Sequence, residues 1–354
     1  MTFFFTRALD SFLGRNDSAI TVPALDGALR PNRRLDDAIE RSPVRAPGAL
    51  AVGRDGLVVS SGSELLSLPG GKVLYSASAE ISCLSPVAGG MALGLDDGRI
   101  VITSGEFDGT ELPARNDVRC PTAIVASGDA LYVCHGSAQN PPSAWQRDLL
   151  QCNASGSIWR VDLRSRQQRR IAADLAYPAG LALTADGLIV AESWKHRITL
   201  LDRTTGALRK VIQSDLPGYP GHISDGANGG YVMAMFAPRN QLVEFILRED
   251  RYRQRMMAEI DSRYWVSPSY RSGRSFYEPL QGGGVKHLGI LKPWAPTLSF
   301  GMVALLDENC QPTDSFQSRA DGVTHGITGA VIHDGALYAA SRGDDVVVRL
   351  DLGS

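Results

Sequence analysis

The sequence predicts an all-β fold, a six-bladed β-propeller with a partly helical insertion between blades five and six. Three observations carry that expectation. A unit recurs along the chain: a proline, two small or polar residues, an apolar stretch, a turn built on Gly or Asp-Gly, and a second β-rich stretch. It returns at a coarse period of about 40 residues, the length of one four-stranded blade. The 37 glycines and 19 prolines are spread over the 354 residues, as a chain with many tight turns requires. A generic β-sandwich is the alternative arrangement of the same short strands.

The elements follow in order. Residues 1–45 read as a lead-in that wraps the propeller, with a short helix over Leu9 to Leu13 and a polar, proline-containing stretch from Pro23 to Arg45. The propeller is expected over 46–354. Its first unit is Pro47 to Val52, turning at Asp55-Gly56 into Leu57 to Val59. A weaker second unit lies between Ile81 and Thr103, with its turn at Gly89-Gly90. The third runs from Pro121 to Val125 and turns at Gly128-Asp129 into Leu131 to Val133. The fourth, Pro178 to Leu183, turns at Asp186-Gly187 into Leu188 to Ala191 and is followed by His196 to Asp202. The fifth begins Pro220-Gly221-His222-Ile223 and turns between Asp225-Gly226 and Gly229-Gly230 into Tyr231 to Ala234. The sixth, Gly326 to Val331, turns at Asp334-Gly335 into Leu337 to Ala340 and ends on Val346 to Asp351. Two stretches lengthen the period, about 138–155 in the third blade and 244–298 after the fifth. The second holds helix-forming residues from Arg251 to Ile260 and then a stretch rich in Gly, Pro and aromatics. Length alone suggests two domains at about 150 residues each, but the repeat assigns most of the chain to one.

Composition excludes several function classes. A net charge of -2 offers no global field for nucleic acid or an anionic membrane surface. The arginine excess, 31 against 5 lysines, reads as the coding bias of a GC-rich bacterial genome rather than a phosphate-binding surface. No apolar run approaches the ~18 residues of a membrane span. Phe3-Phe4-Phe5 is cut short by Arg7 and Asp10 before a secretory h-region develops. The five cysteines, Cys83, Cys120, Cys134, Cys152 and Cys310, form no CxxC pair and read as reduced thiols of a cytoplasmic protein.

Several segments carry a family resemblance. Leu216-Pro217-Gly218-Tyr219-Pro220-Gly221-His222-Ile223, with Ala237-Pro238-Arg239-Asn240, resembles the GYPDNI and SPRN segments of the strictosidine synthase family. Ala191-Glu192-Ser193-Trp194-Lys195-His196-Arg197-Ile198 is similar to its AETxxHRI strand pair, and His333-Asp334-Gly335-Ala336-Leu337-Tyr338 to its C-terminal HDGxLY. The matches stay in register over roughly 45–352. The resemblance implies a six-bladed propeller related to gluconolactonase and paraoxonase-like proteins, with a small-molecule site at the mouth of the central channel.

In such a fold the residue just after each repeated proline lines the mouth. These positions read Gly48, Thr122, Ala179 and Gly221-His222. By the resemblance, hydrolytic relatives hold a calcium-like ion there with Glu, Asn and Asp, but here the expected glutamate is Gly48 and the expected asparagines are Ala179 and His222. One hydroxyl and one imidazole do not make the cage of six to eight oxygens that calcium needs. The plant synthase places a glutamate shortly before the HDG turn; Thr328 falls at that place and Gly322 to Ile332 contains no acid. Neither a metal nor a cofactor is expected.

His222 and His325 remain as acid/base candidates, since imidazole titrates near ~6.5. Tyr219, Thr122, Thr328, Arg342 and Glu192 are the candidate substrate contacts. His222 and His325 also suit a capping role bonded to backbone, Glu192 an interblade hydrogen bond, His333 a turn, and His196 an outer strand beside Trp194. Ser155-Gly156-Ser157 has no following helix to build an oxyanion hole. Gly282-Gly283-Gly284-Val285-Lys286 lacks phosphate-loop spacing and reads as a hinge. Tyr264-Trp265, Tyr270, Phe276-Tyr277 and Trp294 either roof the channel, plug it, or form a contact between copies. The expected function is action on a small organic molecule at the channel mouth, by metal-independent lactone or ester hydrolysis or an imine-type condensation. The alternative is a non-catalytic binding or scaffold propeller, and a homodimer through 244–298 is the expected assembly.

Overall fold

Six four-stranded antiparallel sheets form the ring of a six-bladed β-propeller. The computed structural model describes residues 22–115, 118–185, 187–275, 277–278, 299–352 and the backbone of 286–287 and 290–291. Phe3-Phe4-Phe5, Leu9 to Leu13, Asp186, Phe276, Gly282 to Val285 and Trp294 lie outside the described residues.

Blade 1 comprises Pro47–Gly53, Gly56–Ser61, Glu64–Leu68 and Val73–Ser76. Blade 2 comprises Ile81–Val87, Gly90–Leu95, Ile100–Thr103 and Glu111–Leu112, and blade 3 Pro121–Ser127, Ala130–His135, Gly156–Asp162 and Gln168–Leu175. Blade 4 is Pro178–Leu183, Gly187–Glu192, Arg197–Asp202 and Leu208–Gln213. Blade 5 takes Gly218–Asp225, Tyr231–Pro238, Met302–Leu306 and Pro312–Gln317. Blade 6 is Ile327–His333, Ala336–Ser341 and Val346–Asp351, with Glu40–Pro43 as its outermost strand. All six repeat units fall on the two innermost strands of a blade. Short β-branched and aliphatic runs punctuated by Gly turns give the hairpins, and stacking their faces buries one apolar layer between each pair of blades.

Two placements differ from the sequence expectation. Glu40–Pro43 pairs with Val346–Arg349, so the end of the lead-in is a blade strand that closes the ring. The long insertion leaves after the second strand of blade 5 and returns as its third, so it lies inside blade 5 rather than between blades 5 and 6. The repeat reports only the two inner strands of each blade, which left Met302–Leu306 and Pro312–Gln317 without an assigned sheet.

That topology decides where the insertions go. Each innermost strand runs away from the mouth and the second strand returns to it, so the connection from second to third strand opens on the mouth face. Both insertions use it. In blade 3 it carries α1, Trp145–Leu150; in blade 5 it carries α2, Gln241–Arg248, and α3, Asp250–Glu259. Asn240 starts α2 by accepting the Leu242 N–H at 2.8 Å. Leu150, Ile246, Met256 and Trp265 bury the three helices against one another. Among the described residues, no helix is long and apolar enough to cross a membrane.

The lead-in is fastened to blades 5 and 6. Leu35 is fully buried in the cluster that holds Val303, Phe316 and Leu337. Asn32 exchanges bonds with Ser315 and Gln317, and the Asp36 carboxylate accepts from Ser318 Oγ and the Val323 N–H. Leu35→Ala removes a buried anchor of the closing strand and should cost about 2–5 kcal/mol of stability. Urea unfolding measures this, and an unchanged midpoint would show that the lead-in does not hold the ring.

Candidate functional site

The innermost strand of every blade carries one extra residue at its mouth end. The pairing slips between Pro47 and Leu50, Ile81 and Cys83, Pro121 and Ala123, Pro178 and Gly180, Pro220 and Ile223, and Ile327 and Gly329. Such a bulge bends the strand and re-aims a side chain. The residues it frees are Gly48, Ser82, Thr122, Ala179, Gly221-His222 and Thr328, and all of them line one cavity of about 180 Å³ at the channel mouth.

Hydroxyls at this ring tie neighbouring blades together. Ser82 Oγ donates to Pro121 O at 2.6 Å, Thr122 Oγ1 to Pro178 O at 2.5 Å, and Thr328 Oγ1 to Gly48 O at 2.8 Å. Ser193, which follows the second strand of blade 4, donates to Pro220 O at 2.5 Å. Between blades 1 and 2 the bulge residue is Gly48, where a Cβ would sit 2.6 Å from Ser60 Oγ. A side chain there would displace the Ser60 hydroxyl from the Ala49 N–H that it accepts. Instead Arg342 of blade 6 pairs with Glu80 of blade 2, its guanidinium 3.9 Å from where that Cβ would lie.

His222 lines the mouth cavity and also a second cavity of about 620 Å³ further along the channel, so its ring stands between the two. Its Nδ1 faces the Ala330 N–H at 3.5 Å as an acceptor, which puts the proton of the neutral ring on Nε2. Burial pushes its pKa down to about 4 despite the Ala330 contact, so the ring is neutral at physiological pH. It is a hydrogen-bond donor through Nε2 and a weak base.

Arg342 and Thr122 and Thr328 join His222 at the cavity; the other candidates do not. His325 is fully buried, with Nε2 donating to Arg319 O at 2.7 Å and Nδ1 accepting from Ser299 Oγ at 2.8 Å. Burial, with Arg271 nearby, lowers its pKa to about 4. It fastens the insertion, because Ser299 also accepts the Ser272 N–H at 2.8 Å. Tyr219 is fully buried, edge-on to His196 at 4.6 Å. Glu192 is buried too, paired with Arg197 at 2.5 Å and accepting the Ala176 N–H. His196 sits at a left-handed turn rather than in a strand, 3.3 Å from Glu244 of α2.

The structure adds an aromatic wall and a carboxylate. Trp145 of α1, Tyr177, Phe236 and Tyr270 line the cavity, with Trp145 5.3 Å from Phe236 and 5.1 Å from Tyr270. Of the roof residues that are described, Tyr264, Trp265, Tyr270 and Tyr277, only Tyr270 lines the cavity; Trp265 is buried among the insertion helices and donates to Ile260 O. Tyr270 is brought there by close backbone contact with Gly326, where a Cβ would meet it at 2.7 Å and φ is +63°. Only glycine suits that place. Burial raises the Tyr270 phenol to about 12, so it stays protonated. Asp148 of α1 is fully buried and accepts from Trp194 Nε1, Asn140 and Asn153, each at 2.9 Å. Trp194 in turn stacks on Tyr177 at 4.2 Å.

Asp96 also lines the cavity and accepts the Ser143 N–H at 2.7 Å and its hydroxyl at 2.9 Å. The rule that selects Arg342, the residue just after a second strand, also selects Asp96, which follows Gly90–Leu95. That signal was in the sequence.

The donor set does not suit calcium. Gly48, Ala179 and His222 offer no anionic oxygen, Glu80 is engaged by Arg342, Asp96 is a single carboxylate held by Ser143, and the described residues contain no group of three or more His, Cys, Asp or Glu able to hold a metal.

No protein-family profile matches the chain. It is similar to an adipocyte plasma membrane-associated protein of Danio rerio, 27% identical over 150 residues, which are 40% of this chain and 34% of that protein. The match therefore spans about a third of the relative's length. The fold resembles a gluconolactonase of Xanthomonas campestris with a TM-score of 0.53 and 15% identity, covering 90% of this chain and 91% of the other. That likeness is one of fold.

Two outcomes are expected. His135, His222 and His325 have pKa values lowered by burial to about 3, 4 and 4. Below their unfolded value of ~6.5 the unfolded chain binds protons that the native state does not, so stability is complete above that pH and falls on acidification by up to about 1.4 kcal/mol per unit for each. Urea midpoints at pH 7, 6 and 5 should decline in sequence; a constant midpoint would show that these rings are not held neutral. Calorimetric titration with calcium should give no binding heat, and a raised Tm with calcium would contradict the donor-set argument.

Proposed function

We propose that the chain is a strictosidine synthase-like propeller acting on a small organic molecule at the channel mouth, as a metal-independent hydrolase of a lactone or ester. The bulge-lined cavity carries the proposal: it gathers Asp96, His222 and Arg342 around one small space beside aromatic rings. The sequence motifs and the Danio rerio similarity support the family-level resemblance, and the gluconolactonase-like fold supports a lactone-hydrolase type of propeller.

In the reaction a water oxygen attacks the carbonyl carbon, and its proton passes to Asp96, whose bonds come only from neutral Ser143 donors. The charge developing on the carbonyl oxygen is met by Arg342 and His222 Nε2–H. The ring or ester C–O bond then breaks, and the leaving oxygen takes the proton from Asp96, giving an alcohol and a carboxylic acid. Thr122 and Thr328 shape the cavity while their hydroxyl protons remain on interblade carbonyls. His222 thus works as a donor rather than as a general base. The five free thiols suit a reducing, cytoplasmic setting.

A non-catalytic binding propeller is the second reading, favoured by the engagement of Asp96 with Ser143, which also anchors α1 to blade 2. An imine-type condensation would use Asp96 as its proton carrier, and an amine-plus-aldehyde panel tests for it.

Asp96→Asn should lower kcat/KM on a panel of lactones and aryl esters about 10²–10⁴-fold while leaving Tm within a few degrees. Turnover that survives this change assigns the base elsewhere, and a panel with no turnover favours the binding reading. Because His222 titrates near 4, the pH profile of kcat/KM should show no His222-dependent inflection near 6.5. An inflection there that disappears in His222→Gln would overturn the donor role.

A further inference from the structure

We propose that Arg342 is a carboxylate-capture group, that Glu80 is its resting intramolecular partner, and that the mouth cavity binds small monocarboxylates by exchanging one for the other. The inference deepens the hydrolytic reading, since a carboxylate is the product that reaction leaves in the cavity. It nevertheless stands on its own geometry.

Arg342 is the only arginine or lysine among the described residues lining the cavity. Its guanidinium lies over the Tyr270 ring, 5.6 Å from the centroid, beside the side-chain-free backbone of Gly48. One edge of the fork is taken by Glu80 through Nη2, while Nη1 makes only a 3.3 Å contact with Ala46 O. A planar cation resting against an aromatic face, with one terminal nitrogen weakly bonded, is the arrangement in which a guanidinium takes a carboxylate through two parallel bonds.

Glu80 is the removable member of the pair. Its side chain is 39% exposed against 23% for Arg342. An exposed ion pair contributes little to stability, so exchanging it costs little. The exchange is also neutral in charge: an incoming carboxylate replaces the outgoing one at the guanidinium, and Glu80 moves into solvent. The negative charge of Asp96 is therefore not added to by a second uncompensated anion. The body of the ligand faces Tyr270, Phe236 and Trp145, which favours an unsaturated or aromatic acid over a polyhydroxylated one.

Benzoate and benzamide, nearly identical in shape and different in charge, are the probes. Calorimetry on the full chain should show benzoate binding at least tenfold more tightly than benzamide. Arg342→Gln should remove that preference. Glu80→Gln, which neutralises the internal competitor, should tighten benzoate at least threefold and leave benzamide unchanged. Equal binding of the two probes, benzoate binding retained in Arg342→Gln, weaker benzoate binding in Glu80→Gln, or no benzoate binding even in Glu80→Gln would each overturn the proposal. Should Arg342→Gln fail to fold, as judged by its near-ultraviolet circular dichroism, the Glu80→Gln pair of titrations decides alone. Because binding is read without turnover, carboxylate capture can fail while hydrolysis is observed, and hydrolysis can fail while capture is observed.

Discussion

The mouth of this propeller depends on one backbone device, the extra residue at the start of each innermost strand. In a radial blade the innermost strand presents its edge to the channel and its side chains to the neighbouring blades. The bulge breaks that alternation once per blade and turns a single residue toward the mouth. At the bulges the backbone carbonyls Pro121 O and Pro178 O accept hydroxyls from Ser82 and Thr122 of the preceding blades. Ring closure and site construction are thus the same set of interactions. Buried carbonyls need partners, and short hydroxyl side chains at the bulge are close enough to supply them.

Gly48, like Ala179 and Gly221-His222, brings no hydroxyl to that ring, and the electrostatics of the mouth turn on it. A side chain there would collide with Ser60 Oγ, so the seam between blades 1 and 2 is spanned from outside by Arg342 and Glu80. A fixed guanidinium thereby stands at a mouth that offers no cage of oxygens for a divalent cation. Burial acts in the opposite direction on the imidazole of His222, which is held neutral with its proton on the nitrogen that has no protein partner among the described residues. The mouth combines one guanidinium, one neutral donor and one carboxylate bound by neutral groups.

The wall over the mouth has a topological origin. Second strands return to the mouth in every blade, so an insertion between second and third strand is delivered to that face whatever its sequence. Blades 3 and 5 both use this connection, and their helices meet through Leu150, Ile246 and Met256. Asp148 fixes α1 against Trp194, which positions Tyr177, while the close approach of Gly326 and Gly343 to the Tyr270 backbone presses the second insertion down. The cavity-lining rings are supported by buried hydrogen bonds and tight backbone contacts rather than by one another alone.

The sequence by itself determined the blades and most of the ring of mouth positions, because a period of turns and prolines is local and the bulges of blades 1, 3, 4 and 5 lie within a few residues of a proline. Gly48, Thr122, Ala179 and His222 were legible in this way and Thr328 through the family resemblance, while Arg342 and Asp96 obey an equally local rule at the ends of second strands. Only the tertiary structure decided that Glu40–Pro43 closes blade 6, that the long insertion interrupts blade 5, and that Trp145, Tyr177, Phe236 and Tyr270 share one wall. These relations join residues far apart in the chain through strand order and burial, and no local pattern records them. The histidines divide along the same line: both lie near the mouth in sequence, but His222 stands on a bulge open to the cavity, whereas His325 is enclosed by Ser299 and Arg319 from two other segments. Proximity to the channel was written in the repeat, and access to it was set by what folds over each position.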